Sequence, residues 1–531
     1  ALGAGELVTA STGPASAAVV TVDSSAVDLT PTPLKEYAVS HFGTDDKQVL
    51  MLGTYLVLAA FAALAGLLAV RRPPVGAALF GLFGGLGIWA ALTRPTATWP
   101  DVLPPVVAAL VVAVAVVALA RRYRAALAPA RVEPDSTQAL EPTEPEPTQA
   151  LEPTGPERTQ ALESAAPEPT APGFTPARRS VLIATGGTVA FAALAGFGGR
   201  ASSARRYDVT AARRAVRLPP PARPAAAIPA SAHPPVPGLS SFVTPSTGLY
   251  RVDTALTLPQ IHPDSWSLRI HGLVDHPVLI TFDDLLRLPL QELDHTLSCV
   301  SNEVGGPYVG TVRWLGASLP DLLRRAGVRA GADQLVGRSQ DGMTIGTPLA
   351  SVLDGRTALL AVAMNGEPLP VAHGFPCRSV VPGCYGYTSA TKWLVDLEVT
   401  TFARYDPYWV RRGWDRTGTV RTASRIEVPA GFARVPAGDV TVAGTAWATH
   451  RGITAVEVRV DGGPWAEARL AADAGTDLWR QWSYDWTGAK PGTRRIEVRA
   501  TDAGGAVQTE DRATPFPSGS TGWHSTVVIV T

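Results

Sequence analysis

Three apolar runs crowded into residues 49–120 constrain this chain more than any other feature. Val49–Val70 carries no charge and is long enough to cross a bilayer. Val75–Leu92 is shorter and glycine-rich, and Leu103–Ala120 is almost entirely Val, Ala and Leu. A fourth run, Val181–Gly199, follows a long polar stretch. Buried core helices are the competing reading, but the runs cluster and basic residues flank them. Arg71 and Arg72, then Arg121, Arg122 and Arg124, then Arg178 and Arg179 belong on the cytoplasmic side by the positive-inside bias. The loop 93–102 holds only Arg94 and Asp101 and should face out. Residues 1–48 and everything after Gly199 are then extracytoplasmic, although Arg200, Arg205, Arg206, Arg213, Arg214 and Arg217 argue against it. An outside N-terminus on a chain that starts with Ala fits a further helix upstream. None of the runs contains His, Asp, Glu or Lys, which leaves neither paired haem ligands nor a proton path. An anchor is the expectation.

Composition narrows the classes further. Lys+Arg and Asp+Glu are both 46 in 531 residues, so no global basic field points to nucleic acid. Charged residues are only 17%, which fits a part of the chain in lipid. Three cysteines exclude a disulfide scaffold and a four-thiolate zinc site. Lysine occurs only as Lys35, Lys47, Lys392 and Lys490; arginine supplies the other basic residues.

The remaining segments differ in texture. Residues 1–48 are rich in Ser, Thr, Ala and Asp with little periodicity, and are expected to be loosely structured and exposed. Residues 121–180 form a low-complexity linker on the cytoplasmic side: Thr137–Thr143 recurs at Thr148–Thr154 and partly at Thr159–Glu163, which reads as a flexible acidic spacer. Ala177-Arg178-Arg179-Ser180-Val181-Leu182 resembles a twin-arginine export signal at the head of the fourth run, 181–199. Residues 200–240 are a Pro/Ala/Arg linker. Residues 241–400 read as α+β. Ser265–Ile270 and Val278–Thr281 suggest a hairpin, Thr281 caps a short helix, Leu319–Ala326 is another helix, and Asn365-Gly366 is a two-residue turn. In 401–531 helical patterns stop. Val456–Val460 and Trp465–Leu470 flank Asp461-Gly462-Gly463, and Trp479–Trp486, Arg494–Ala500 and Thr526–Val530 continue as strands of a β-sandwich.

Two constellations carry chemistry. Cys299 lies in His295-Thr-Leu-Ser-Cys-Val-Ser-Asn302-Glu-Val-Gly-Gly306, where a strand ends in a turn. It is a small buried hydrophobe, a nucleophile paired with His295 or His373, or a thiolate bound to a soft metal. His373-Gly-Phe-Pro-Cys-Arg378 and Tyr385-Gly-Tyr-Thr-Ser-Ala-Thr391-Lys392-Trp393 gather His, Arg and Lys around a Gly/Ser/Thr-rich loop, the makings of an anion cradle. Cys377 and Cys384, seven apart, are a disulfide or two buried thiols. Trp393, Trp409 and Trp414 are an electron path or plain packing.

Taken together, Cys299 with Asn302, His373-x4-Arg378 and the Tyr385–Trp393 stretch resemble the sulfite oxidase family of molybdopterin enzymes. The likeness runs from about Thr247 to the C-terminus and takes in Tyr250-Arg-Val-Asp-Thr254. The rear resembles the family's dimerisation domain, an immunoglobulin-like sandwich, which implies a homodimer. The resemblance implies a molybdenum–molybdopterin cofactor with Cys299 as the protein's ligand to the metal. It implies pterin and phosphate binding by His373, Arg378, Thr391 and Lys392, with Tyr250, Arg251 and Ser339 also against the pterin. The reaction implied is two-electron oxygen-atom transfer, with Asn302, Glu303 and Tyr387 beside Cys299 in the catalytic set.

The departures bear on substrate. Sulfite oxidases place arginines shortly after the ligand cysteine and again before the Lys-Trp pair; here those regions read Glu303-Val304 and Thr388-Ser389-Ala390. A Glu303 close to the metal would repel sulfite, which favours a small neutral S- or N-oxide. No haem domain is visible, so an external carrier, quinone or cytochrome, is expected to exchange electrons. The expectation is a multidomain enzyme at the cell membrane: transmembrane α-helical anchor, extracytoplasmic α+β cofactor domain, all-β sandwich. Its rivals are a hydrolase built on Cys299 and His295, and a non-catalytic extracellular module with a degenerate cofactor site.

Overall fold

A computed structural model describes residues 2–31, 34, 37, 41–42, 46–94, 97–127 and 176–531. The repeat-bearing spacer, residues 128–175, lies outside the described residues.

The N-terminal third is helical. α1 (Leu2–Thr12) and α2 (Ala18–Leu29) precede the long helices α3 (Asp46–Arg71), α4 (Pro73–Leu92) and α5 (Leu103–Leu127). α6 (Pro176–Tyr207) leads to the rest of the chain and a short α7 (Thr210–Ala215). Residues 2–29 therefore depart from the loose segment expected of 1–48, because α1 and α2 are helical and packed. Their Ser, Thr and Ala residues show no apolar stripe because small residues do the packing. A Cβ on Gly5 would stand 3.0 Å from the Pro104 carbonyl oxygen, and one on Gly199 would stand 2.6 Å from the Leu7 nitrogen. Three helices are long and apolar enough to cross a membrane, over Lys47–Arg71, Pro74–Leu92 and Trp99–Arg124. Their large apolar side chains face outward: Leu52, Leu56, Leu82 and Val114 are 61, 64, 63 and 70% exposed.

One mixed and one antiparallel sheet build the α+β unit. One has the order β2-β1-β10-β5-β6, from β1 (Ser267–Gly272), β2 (Val278–Thr281), β5 (Gln334–Ser339), β6 (Thr344–Pro348) and β10 (Leu394–Thr400). β1 pairs with β10 in parallel and the other pairs are antiparallel. The other sheet runs β3 (Leu290–Ser298), β4 (Val309–Ser318), β7 (Leu359–Met364), β8 (Glu367–Pro368), with β9 (Arg378–Val380) also on β7. Helices α8 (Phe282–Arg287), α9 (Leu319–Ala326), α10 (Leu349–Leu353) and α11 (Gly386–Ser389) fill the connections. The Thr281 hydroxyl accepts from the Asp284 N–H, and the Asp284 carboxylate accepts in return from Thr281, a capping box that starts α8. Asn365 and Gly366 turn β7 into β8 with φ of 51° and 81°, as the two-residue cue requires. Trp266, Leu268, Leu285, Leu323 and Leu360 lie in one buried core under the first sheet.

Behind this unit stand two further sheets that share a core. One is β11 (Ala423–Val428), β13 (Gly438–Trp447), β17 (Arg480–Ala489), β16 (Arg469–Leu470). The other is β12 (Arg434–Val435), β19 (His524–Val530), β18 (Gly492–Asp502), β14 (Ile453–Val460), β15 (Ala466–Glu467). Trp482 and Val442 from one meet Val456, Ile496 and Val528 from the other. A second apolar cluster, with Phe242, Val300, Tyr385, Trp447 and Trp479, welds this region to the α+β unit.

At Gly316, a Cβ would stand 2.7 Å from Ala361 Cα, where β4 shifts register against β7. Gly316→Ala should therefore cost about 1–3 kcal/mol, as overpacking against backbone does. The expected readout is a thermal midpoint several degrees lower than that of the unchanged chain.

Candidate active site

Strand β3 carries the chain to Cys299, and the loop 299–308 returns it to β4. The Cys299 N–H donates to the Tyr308 carbonyl at 2.9 Å, and the Asn302 N–H donates back to the Cys299 carbonyl at 3.2 Å. Asn302 Oδ1 accepts the Tyr308 N–H at 2.8 Å, so this side chain ties the two ends of the loop. Asn302 is buried, and this bond makes it a brace of the turn that carries Cys299. Glu303 is corrected. It is exposed and does not line the cavity, because the turn that aims Cys299 inward aims Glu303 out.

The cavity has a volume of about 550 Å³. Cys299, Tyr250, Arg251, Ser339, His373, Arg378, Thr391, Lys392 and Tyr387 all line it, drawn from five stretches of chain. Gly374 makes the cradle loop fit: its φ is +109°, and a Cβ there would press Lys392 Cα and Arg378 Cβ at 3.0 and 3.1 Å. Arg378 is 3% exposed and its Nη1 donates to the His373 carbonyl at 3.1 Å, while its Nε has no partner. The Ser339 hydroxyl is also buried and unpartnered. Tyr387 lines the wall with its ring, and its hydroxyl donates to the Asp415 carbonyl at 2.7 Å.

Asp253 is the electrostatic hub that the sequence reading did not single out. Its side chain is 7% exposed. It accepts from Lys392 Nζ at 2.5 Å, from Arg251 Nε and Nη2 at 2.8 and 3.0 Å, and from Lys47 Nζ at 2.6 Å. Burial alone would raise its pKa, but Lys392, Arg251 and Lys47 outweigh it and hold the carboxyl well below the usual range. Burial lowers Lys392 to about 8 even with that carboxylate beside it. Burial, then Arg378 and Lys392, lowers His373 to about 4, so its imidazole is neutral near pH 7. Burial lowers Arg378 to about 10 and it stays charged. The Cys299 thiol is pushed up by burial.

Among the described residues, the cations Lys47, Arg251, Arg378 and Lys392 and the carboxylates Asp253 and Asp341 line one cavity. The buried Arg378 charge and the orphaned donors of Arg378 and Ser339 call for an anionic group that accepts hydrogen bonds. A single thiol offers one soft ligand, and among the described residues no group of three His, Cys, Asp or Glu side chains converges to hold a metal alone. The donor set fits a metal that arrives in an anionic organic carrier. It does not fit a Cys/His hydrolase. His295 is fully buried on β3, lies off the cavity wall with Nε2 unpartnered, and is lowered to about 4 by burial. Cys377 and Cys384 are free buried thiols. Trp409 and Trp414 line the cavity in edge contact at 6.1 Å, while Trp393 is bonded through its indole N–H to the Val371 carbonyl. A larger open cleft of about 830 Å³ lies elsewhere, around the Arg425–Glu427 ion pair and His524, and does not reach Cys299.

Comparison with known proteins agrees with this donor set. Residues 255–409 match the family model described as oxidoreductase molybdopterin binding domain. The uncharacterized oxidoreductase YuiH of Bacillus subtilis is 37% identical over 153 residues, 29% of this chain and 74% of that protein. Sulfite oxidase of Gallus gallus is 32% identical over 349 residues, 56% of this chain and 75% of that protein. Mitochondrial sulfite oxidase of Rattus norvegicus is 32% identical over 276 residues, 44% of this chain; the match spans half the length of that relative.

Burial sets an order of thiol reactivity. In cofactor-free protein, iodoacetamide should modify Cys299 first, since it alone of the three cysteines lines the cavity. Its raised pKa means the rate should still climb above pH 9, about tenfold per unit below the pKa. Peptide mass spectrometry across pH 7–10 measures both the order and the slope.

Proposed function

The chain belongs to the sulfite oxidase family of molybdopterin-dependent oxidoreductases, and from that footing we propose that it is a membrane-anchored enzyme working outside the cytoplasm. It moves one oxygen atom between a small S-oxide, N-oxide or sulfite-like substrate and water, with the accompanying two electrons exchanged with an external electron carrier and two protons with solvent. The observation that carries this reading is the meeting, in one cavity, of the Cys299 thiol with excess positive charge and the unpaired donors of Arg378 and Ser339.

When bound, the molybdopterin group supplies a metal that cycles between Mo(VI) and Mo(IV) and exchanges an oxygen atom with the substrate. Cys299 would be the protein's ligand to that metal, bound as the thiolate, the charged form that burial disfavours in the free thiol. Arg378 grips the pterin end with its free Nε, and Ser339 and Thr391 satisfy polar edges. Lys392 and Arg251, held by Asp253, meet the phosphate. Neutral His373 bonds the pterin without adding charge. Tyr250 leans over Tyr308 with ring centroids 5.9 Å apart and closes the pterin side, while the Tyr387 ring shapes the substrate side. Asn302 fixes the approach of the thiol.

With Glu303 turned to solvent, its charge gives no reason to exclude sulfite. The loops that hold sulfite-binding arginines in sulfite oxidases still lack them here, which supports a neutral oxide. The outward apolar faces of α3, α4 and α5 support the anchor, and Arg71, Arg72, Arg121, Arg122 and Arg124 support its orientation. Arg178 and Arg179, in the first turn of α6, serve as a twin-arginine signal for a domain exported folded. The two-sheet region is read as the immunoglobulin-like dimerisation domain, giving a homodimer. The carrier is a quinone or a cytochrome, and the apolar wall of Val27, Leu34, Phe42 and Leu50 favours a quinone.

Elemental analysis of the purified full chain should find stoichiometric molybdenum, and Cys299→Ser should lower it by more than about tenfold. Metal-free wild-type protein, or equal metal in the serine variant, would overturn this function.

A further inference from the structure

The end of α6 joins the apolar helices to the α+β unit with little slack. α1 runs beside it in the same direction. A Cβ on Gly199 would stand against the Leu7 nitrogen, Ser203 Oγ donates to the Thr9 carbonyl at 3.2 Å, and the Tyr207 hydroxyl donates to the Ser11 carbonyl at 3.0 Å. Just beyond, Val209 is buried in a cluster of the α+β unit with Leu249 and Leu293. Arg213 on α7 donates to the Leu369 and Pro368 carbonyls at 2.8 and 2.6 Å. Residues 199–213 are thus held at one height, with apolar helix surface on one side and the catalytic unit on the other. On the helix side, Leu194 and Phe197 are 75 and 78% exposed.

Positive charge concentrates at this level. Residues 200–223 hold seven arginines and one carboxylate, Asp208, in a chain of zero net charge. Asp208 is taken up by Thr210, Arg200 by Tyr55 and Glu6, and Arg213 by the two carbonyls and Glu367. Arg205, Arg206, Arg214 and Arg217 are exposed and make no ion pair or side-chain hydrogen bond among the described residues. Gly199, Ser203 and Tyr207 recur every four residues and face α1, so Arg205, two positions past Ser203, points away from it. At 1.5 Å per residue, Arg205 and Arg206 stand about 9–10 Å past Gly199, where the apolar run ends. A headgroup layer is about 5–8 Å thick on each side of a bilayer, and a snorkelling arginine spans the difference. We propose that Arg205, Arg206, Arg214 and Arg217 form a docking surface for anionic phospholipid headgroups, on the leaflet from which α6 emerges. The proposal goes beyond the enzymatic function and rests on the membrane-anchor part of that reading. The guanidinium fork matches two phosphate oxygens, and a cation near an anionic lipid surface is attracted to it. Both ends of α6 are basic, so loop charge alone gives it no direction; headgroup contact gives the second group a use that orientation does not. Bound headgroups hold the α+β unit down on the bilayer beside the point where Arg213 clips it to α7.

The first test needs no variant. The full chain is placed in nanodiscs of phosphatidylcholine, with and without phosphatidylglycerol, and its arginines are modified with phenylglyoxal. Peptide mass spectrometry should find Arg205, Arg206, Arg214 and Arg217 reacting several-fold more slowly in the anionic discs. Arg434, exposed on the sandwich, should react equally in both. Equal rates for the four arginines overturn the proposal. The second test counts lipids bound to the full chain in neutral detergent by native mass spectrometry, from an equimolar mixture of the two lipids. Arg205→Gln/Arg206→Gln/Arg214→Gln/Arg217→Gln should lower the preference for phosphatidylglycerol by more than about tenfold. Arg205→Lys/Arg206→Lys/Arg214→Lys/Arg217→Lys and Arg434→Gln should keep it. Raising salt from about 0.1 to 1 M, which shortens the screening length from about 10 to 3 Å, should weaken it in the wild type. An unchanged preference in the glutamine variant, or one indifferent to salt, overturns the proposal. A wild type that stays in solution without detergent and enters no disc fails the anchor reading itself, and that result is distinct from these.

Discussion

A buried carboxylate that three cations share is the contact on which the site depends. Asp253 is almost wholly out of solvent, and an ionised carboxyl there would be expelled or protonated without partners. Lys392, Arg251 and Lys47 supply them from three separate parts of the chain. Each of these cations would also be costly if buried alone. The carboxylate lets them gather, and because they outnumber it, the cluster keeps a net positive field aimed into the cavity. That field is stronger than the same charges would make in water, since the low-dielectric walls screen it poorly.

Cys299 stays a thiol in spite of that field. Burial disfavours its thiolate more than nearby Lys392 favours it. A thiolate ready at neutral pH would invite oxidation. The loop 299–308, pinned by Asn302 Oδ1 and by two backbone bonds, holds the sulfur on the wall in either protonation state. The sulfur is therefore placed by geometry and charged only by its ligand, and this separates the site from a nucleophile-and-base arrangement.

Local chemistry was legible in the sequence; long-range juxtaposition was not. The turn at Asn365-Gly366 and the cap at Thr281 depend on residues a few positions apart, and both form as read. Cys299, His373, Arg378 and Lys392 were found by motif, and one cavity joins them. Glu303 was misjudged because four positions from a key residue says nothing about direction once a turn intervenes. The α1–α2 segment was misjudged because helices that pack through Gly3, Gly5 and small neighbours carry no periodic stripe. Asp253 stood inside the quoted Tyr250–Thr254 stretch but has no motif of its own. The only hint of Lys47 was the scarcity of lysine in an arginine-rich chain.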